Sequence, residues 1–195
     1  MIELGEFAPT VLDALRQPLE ERVVRICRQG GALTFPADFV LVACSNPCPC
    51  GLGPPACACS EAIRARYRRR LSAPLLDRFD LRVVVGPAAP DAPRGPASAD
   101  VRERVAEAIA RQSARYRRSP WRRNARVPAG ALEAAIPLGD EAVDVLHRAA
   151  RRREWSGRGV AGARRVARTL ADLEGSPGVS PAHVLLAAGL REDVL

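Results

Sequence analysis

Apolar positions recur at helical spacing over residues 9–21. Val11, Leu12, Leu15 and Leu19 share one face behind Pro9, which predicts an amphipathic helix. The period then drops to two. Arg22-Val23-Val24-Arg25-Ile26 and Ala32-Leu33-Thr34-Phe35 flank Gln29-Gly30-Gly31, and this pattern predicts a β-hairpin. Phe39 to Cys44 is an unbroken apolar run ending in Ser45-Asn46-Pro47, which predicts a buried, parallel central strand. A cysteine-rich loop over 46–59 leads into a helical stretch at 60–76 carrying the basic run Arg64 to Arg70, and Phe79 to Val85 predicts another strand.

Gly86 to Pro96 is dense in Pro and Gly and reads as a joint between domains. Beyond it the pattern turns helical. One long helix is predicted over 99–117, with Val101, Val105, Ala108, Ile109 and Gln112 on a shared face. Shorter ones follow at 129–135, 139–153, 158–174 and 180–189, the last opened by Ser180-Pro181. There is no internal repeat. The expected organisation is a mixed α/β segment over 1–86, a linker over 87–97 and a helical domain over 98–195.

Composition narrows the class. The 195 residues are 47% hydrophobic and 27% charged, which argues against wholesale disorder. No apolar run approaches the roughly 18 residues of a membrane helix. Met1-Ile2-Glu3-Leu4-Gly5-Glu6 has none of the marks of a secretory signal, so a cytoplasmic location is expected, with no membrane partner. All 30 basic residues are Arg and the net charge is +8. GC-rich coding explains the bias towards Arg, and a solvated basic face explains the charge as well as nucleic-acid binding does. With no Lys, these residues contain no phosphate-loop Lys.

Four local features carry chemistry. Asn46, at the C-terminal end of a predicted strand, sits where open α/β sheets bind ligands, although Asn-Pro is also a common turn initiator. Cys48, Cys50, Cys57 and Cys59 follow a C-x-C-x6-C-x-C spacing, which fits a structural Zn²⁺ site or a loop of unpaired thiols. Cys27 and Cys44 fall on predicted strands and read as small core residues. Arg78, within Leu75-Leu76-Asp77-Arg78-Phe79-Asp80, suits phosphate contact across a subunit interface or a plain Asp-Arg surface pair. Arg158 falls in the first turn of a helix capped by Ser156, against the helix dipole, where an anionic partner would suit it. His147 and His183 lack catalytic partners at useful spacing, and Trp121 and Trp155 suit helix packing.

Several blocks together resemble the Mg-chelatase-like AAA+ ATPases of the YifB/ComM type. They are Glu3-Leu4-Gly5-Glu6-Phe7, Ala14-Leu15-Arg16-Gln17-Pro18-Leu19-Glu20 and Thr34-Phe35-Pro36-Ala37. Asn46-Pro47-Cys48-Pro49-Cys50-Gly51 is close to a signature of that group. Arg66-Tyr67, Leu71 to Leu81 and Arg165-Val166-Ala167-Arg168-Thr169-Leu170-Ala171-Asp172-Leu173 match as well. The resemblance implies an α/β fold: the C-terminal part of an AAA+ P-loop NTPase core, an incomplete parallel sheet with a β-hairpin insertion, followed by an all-α lid domain.

It also implies roles. Glu3 matches the second Walker B acid, which polarises the attacking water, and Asn46 matches sensor 1. Arg78 matches the arginine finger that reaches a neighbour's nucleotide, and Arg158 the sensor 2 Arg of the lid. Asn46 and Arg158 would then contact ATP, with Mg²⁺ as cofactor, in a homo- or hetero-oligomeric AAA+ ring. The hairpin at about 22–35 would face nucleic acid.

The pattern departs from the family in three places. No Walker A loop occurs, Ile2 stands where the first Walker B acid belongs, and Gly159-Val160-Ala161-Gly162 replaces a Tyr-His pair of the lid. The expectation is therefore the C-terminal portion of an ATPase, active only with its Walker A half and marginally stable by itself. The alternatives are a non-catalytic ring subunit and a zinc-stabilised basic module that binds nucleic acid.

Overall fold

The computed structural model describes residues 2–53, 56–86, 89 and 91–191. Pro87, Ala88 and Pro90 of the expected linker and residues 192–195 of the expected helical domain lie outside them. The chain divides into two compact units at the Phe79/Asp80 junction.

The first unit begins with a short strand β1 (Ile2–Glu3), followed by α1 (Pro9–Ala14) and α2 (Arg16–Glu21). The single helix expected over 9–21 is split at Leu15. Pro18 has no N–H to offer the Ala14 carbonyl, and the Leu15 N–H turns to Leu12 instead, at 3.1 Å. The hairpin forms as expected: β2 (Val23–Arg28) pairs antiparallel with β3 (Gly31–Pro36), with Arg28 opposite Gly31. Gly31 adopts a φ of +137°, which a residue with a side chain resists.

The parallel pair is small. Strand β4 (Ala43–Cys44) lies beside β1, with Glu3 opposite Cys44. The buried central strand expected from Phe39 is thus only two residues of ladder, and Val40 is 89% exposed. Its apolar flanks have no adjacent strand among the described residues, so composition alone did not bury them. Cys27 and Cys44 are exposed for related reasons, the first on a hairpin open on both faces. The helix expected over 60–76 also divides, into α3 (Glu61–Arg68) and α4 (Ala73–Leu76), because Pro74 starts a new first turn behind Ser72. The core of this unit is Leu4, Leu12, Leu71 and Leu75, with Leu15, Leu19 and Phe79 against it.

The second unit is helical: α5 (Ser98–Arg115), α6 (Leu132–Ala135), α7 (Asp140–Arg152), α8 (Gly157–Leu173) and α9 (Pro181–Gly189). The strand expected over Phe79 to Val85 is absent. Residues 81–86 carry no regular structure, and Val83, Val84 and Val85 are exposed. The stripe expected on α5 splits. Ala108 and Gln112 are buried, while Val101, Val105 and Ile109 remain exposed. Ser180 caps α9 in a capping box with His183, whose Nε2 also lies 2.7 Å from Glu174. Trp121 meets Tyr116 edge-on at 6.4 Å and packs against the core, but from the loop after α5 rather than from a helix. No helix of the described residues is long and apolar enough to cross a membrane.

Candidate functional site

The parallel pair β1/β4 sets the geometry of the first site. Glu3 ends β1, and Ser45-Asn46 follows directly on β4. The Asn46 amide Nδ2 donates to Glu3 Oε1 at 3.1 Å, joining residues 43 positions apart. Both side chains are on the exposed side of the unit. A carboxylate and an amide so placed offer a proton acceptor and an orienting dipole to one water molecule. Tyr67 of α3 supports the pair from behind. Its hydroxyl lies 3.4 Å from Ser45 Oγ, and a Cβ on Gly5 would sit 2.6 Å from it. A side chain at Gly5 would displace the Tyr67 hydroxyl from this position.

Arg78 of the same unit is held by a separate set of partners. Its Nε donates to the Arg16 carbonyl at 3.1 Å, Nη1 to the Pro74 carbonyl at 2.5 Å, and Nη2 pairs with Glu20. The partner is thus the acid of α2 as well as two carbonyls, so Arg78 is held far more firmly than a surface Asp-Arg pair. Arg78 lines an open depression of about 580 Å³ shared with Asp13, Arg16, Gln17 and Arg25. Arg158 belongs to the second unit, in the first turn of α8. Ser156 Oγ accepts from the Gly159 N–H at 3.1 Å, as the sequence suggested. The Gly159 and Gly162 positions leave room for Arg191, whose guanidinium nitrogens lie 3.5 Å and 3.0 Å from where Cβ atoms would be. Arg191 is buried, sits over the Trp155 ring at 5.8 Å and reaches Asp80 at 3.5 Å. Nothing in the local sequence marked it, because its partners are distant along the chain.

The four cysteines come together. The Sγ atoms of Cys48, Cys50, Cys57 and Cys59 all lie within 4.8 Å of one another, the closest pairs being 3.1, 3.4 and 3.7 Å. A tetrahedral ion with Zn–S bonds of about 2.3 Å needs S···S edges of about 3.8 Å, so this donor set fits a four-thiolate zinc site. The Cys50 thiol, then the Gly53 backbone, lowers the Cys48 pKa to about 6, which favours the thiolate form that a metal binds. Cys59 is pushed up to about 11. The Cys50 backbone favours its thiolate, but the Cys50 thiol, burial and the Cys57 thiol together outweigh that. Arg64 donates to the Cys59 carbonyl at 3.2 Å, which places a positive charge beside the cluster.

The loop closes through Gly53, whose φ is +64° and whose missing Cβ would lie 2.9 Å from Pro47 Cγ. Gly53→Ala is expected to weaken binding of cobalt(II), a zinc surrogate, by about 1–3 kcal/mol, from strain plus overlap. Gly51 also has positive φ, +78°, but open space around it, so Gly51→Ala should cost only about 1 kcal/mol. A thiolate-to-cobalt charge-transfer titration measures both. Equal losses would remove the argument from the Pro47 contact.

Comparison with known proteins shows the family. The family model "Magnesium chelatase, subunit ChlI" matches residues 1–92, and "Magnesium chelatase, subunit ChlI C-terminal" matches residues 95–191. The chain belongs to the magnesium-chelatase-like family. An uncharacterized protein of Mycobacterium tuberculosis is 40% identical over 183 residues, covering 91% of this chain and 36% of that protein. Competence protein ComM of Haemophilus influenzae is 37% identical over 196 residues, covering 97% of this chain and 38% of its own. YifB of Escherichia coli is 32% identical over 197 residues with the same coverage. The chain therefore spans 36 to 38% of the length of these relatives.

Among the family's cofactors, ATP with Mg²⁺ finds only part of a site in these residues. Ile2 offers no metal-ligating oxygen, and no Lys is available for phosphate.

Proposed function

We propose that this chain supplies the water-activating and interface elements of a Mg-chelatase-like AAA+ ATPase, completed by a segment bearing the phosphate loop. ATP–Mg²⁺, bound largely by that segment, supplies the phosphoryl group under attack. In this chain, Asn46 orients a water and the Glu3 carboxylate takes up its proton. Arg78 presents its guanidinium to a neighbouring subunit's site in the ring, and Arg158 contacts the nucleotide from the helical lid. The work done is remodelling of a substrate, with DNA processing as the favoured class, in line with the competence name carried by one relative.

The observation that carries the reading is the 3.1 Å contact between Asn46 and Glu3 at the end of the parallel pair. The exposed apolar stretch at Val40 and Val42 supports it, since an added parallel strand would cover that edge. The thiolate cluster is read as a structural zinc site. A nucleic-acid-binding role without ATP has one observation in its favour: the β2/β3 hairpin is open on both faces and carries Arg25 and Arg28 beside Ile26, Leu33 and Phe35.

The test is reconstitution. The segment preceding the matched region of the mycobacterial relative is co-expressed with this chain and ATP hydrolysis is measured. Hydrolysis is expected, and Glu3→Gln should lower kcat at least about 100-fold with little change in KM. An unchanged rate in Glu3→Gln would overturn the assignment. DNA binding with a steep salt slope and no response to nucleotide would favour the second role.

A further inference from the structure

We propose that a metal ion in the four-cysteine loop positions the Asn46–Glu3 pair, so that metal occupancy determines whether the water-activating pair is assembled. The inference rests on reading the thiolates as a zinc site and Asn46–Glu3 as the functional pair.

The slenderness of the ladder beneath the pair is the first reason. Among the described residues, only Ile2–Glu3 and Ala43–Cys44 pair there, and Val42 just before them is 57% exposed. Two residues of ladder per strand hold a side-chain pair weakly, so its geometry depends on what clamps the neighbouring chain. The second reason is how the cysteines are connected. Cys48 lies two residues beyond Asn46, and Cys59 immediately precedes Ser60, which caps α3 with its Oγ accepting from the Ile63 N–H at 3.4 Å. From α3, Tyr67 returns to Ser45 and Gly5, the residues flanking the pair in sequence. Chain and contacts thus form a closed circuit: Asn46, Cys48, the cluster, Cys59, α3, Tyr67, Ser45.

The loop within the circuit has little else to fix it. No regular secondary structure occurs among its described residues between Cys48 and Cys59, and its backbone makes a turn bond from the Gly51 N–H to the Cys48 carbonyl at 3.0 Å. An ion bonded to all four sulfurs would lock both ends of that loop at once. Arg64 of α3 donates to the Cys59 carbonyl at 3.2 Å, and Cys59 leads directly into the α3 cap Ser60, so the first turn of α3 is tied to the cluster.

The sequence itself provides the probe. The chain has two asparagines: Asn46 beside the cluster and Asn124, buried in the second unit. Selective ¹⁵N-asparagine labelling of the full chain therefore gives two side-chain amide pairs, one a reporter and one an internal control. Metal analysis should find one zinc per chain, and cobalt(II) should give a tetrahedral thiolate spectrum. Removing zinc with a chelator should shift the Asn46 Nδ2–H signals and speed their hydrogen exchange about tenfold or more, and leave Asn124 unmoved. Added zinc should restore them. Glu3→Gln should move the Asn46 signals with zinc still bound, because the acceptor has changed. Cys57→His, which keeps a ligand, should retain the zinc-bound signals, and Cys57→Ala should lose them. Cys27→Ser should leave zinc content unchanged.

The outcomes separate the two ideas. No zinc and no cobalt spectrum would end the metal reading itself. Zinc bound, with Asn46 unmoved on its removal, would overturn the positioning role and leave the metal site standing. Movement of both asparagines would also overturn it, since the metal would then be holding the whole chain rather than the pair.

Discussion

Arg78→Ala is expected to lower ATP hydrolysis by the reconstituted assembly about 10³-fold or more, the size of effect that an arginine finger contributes in other phosphoryl-transfer sites. On the proposed role the loss should appear in kcat, because a finger guanidinium would meet charge that develops as the phosphoryl group transfers. Folding should survive. Arg78 is anchored at Arg16, Pro74 and Glu20 on the flank of the unit, while Leu4, Leu12, Leu71 and Leu75 form its core. Mixing distinguishes a finger acting on a neighbour from one acting within its own subunit. Arg78→Ala and Glu3→Gln chains are each inactive, but in a head-to-tail ring one junction type unites an intact Glu3 with an intact neighbouring Arg78. An equal mixture should recover about a quarter of the wild-type rate. No recovery, with mixed rings verified by mass, would mean that Arg78 serves its own subunit or only its structure.

Asp172→Ala is expected to destabilise the helical unit by about 3–5 kcal/mol. Asp172 is fully buried. Arg115 grips it with both terminal nitrogens, Arg168 donates from Nη2 at 2.8 Å, and Asn124 donates from Nδ2 at 2.9 Å. Asn124 in turn accepts from Tyr116 at 2.9 Å, and Arg168 reaches the Ser176 carbonyl at 2.7 Å. One carboxylate therefore joins α5, the turn at Asn124, α8 and the connection to α9. Its removal leaves two guanidinium groups facing each other with no counter-charge. Both tryptophans, Trp121 and Trp155, lie in this unit, so their fluorescence in a urea titration reports it selectively. A loss below about 1.5 kcal/mol would show that the network is dispensable.

The same residue gives a pH dependence. Burial raises the Asp172 pKa, but hydrogen bonds from Arg115 and Asn124 and the charges of Arg168 and Arg115 outweigh it, and the net shift is downward. A depressed carboxylate contributes stability that is present above its unfolded value of about 4 and is lost as pH falls through the lower folded value. The urea midpoint of the wild type should therefore drop in acid below about pH 4. Asp172→Asn should show a shallower drop from a lower starting point.

Much of the local structure was legible along the chain. The hairpin could be read from alternation around Gly30-Gly31, and α7, α8 and α9 from their helical spacing and from the Ser156 and Ser180 caps. These are choices made within a few residues, where propensity and capping decide. The cysteine spacing likewise forecast a cluster, because twelve residues of turn-rich chain hold the thiols near one another whatever surrounds them. Strands were harder. The runs at Phe39–Cys44 and Phe79–Val85 have the residues of buried strands, yet a strand is completed by its neighbours, and among the described residues only Ala43–Cys44 finds one. The Pro residues at 18 and 74 divided helices whose apolar spacing ran through them, since spacing describes side chains and the break lies in the backbone.

What the sequence determined alone was the family, the Arg-only basic charge, the helical second half and the kinds of residue available for chemistry. Tertiary structure decided which of them meet. It set Asn46 against Glu3 across 43 residues, turned Arg78 onto Glu20, and closed Asp172 between two arginines, one of them 57 residues away. Such contacts depend on chain segments that only folding brings within hydrogen-bond range, and hydrogen bonds and ion pairs act over a few ångströms.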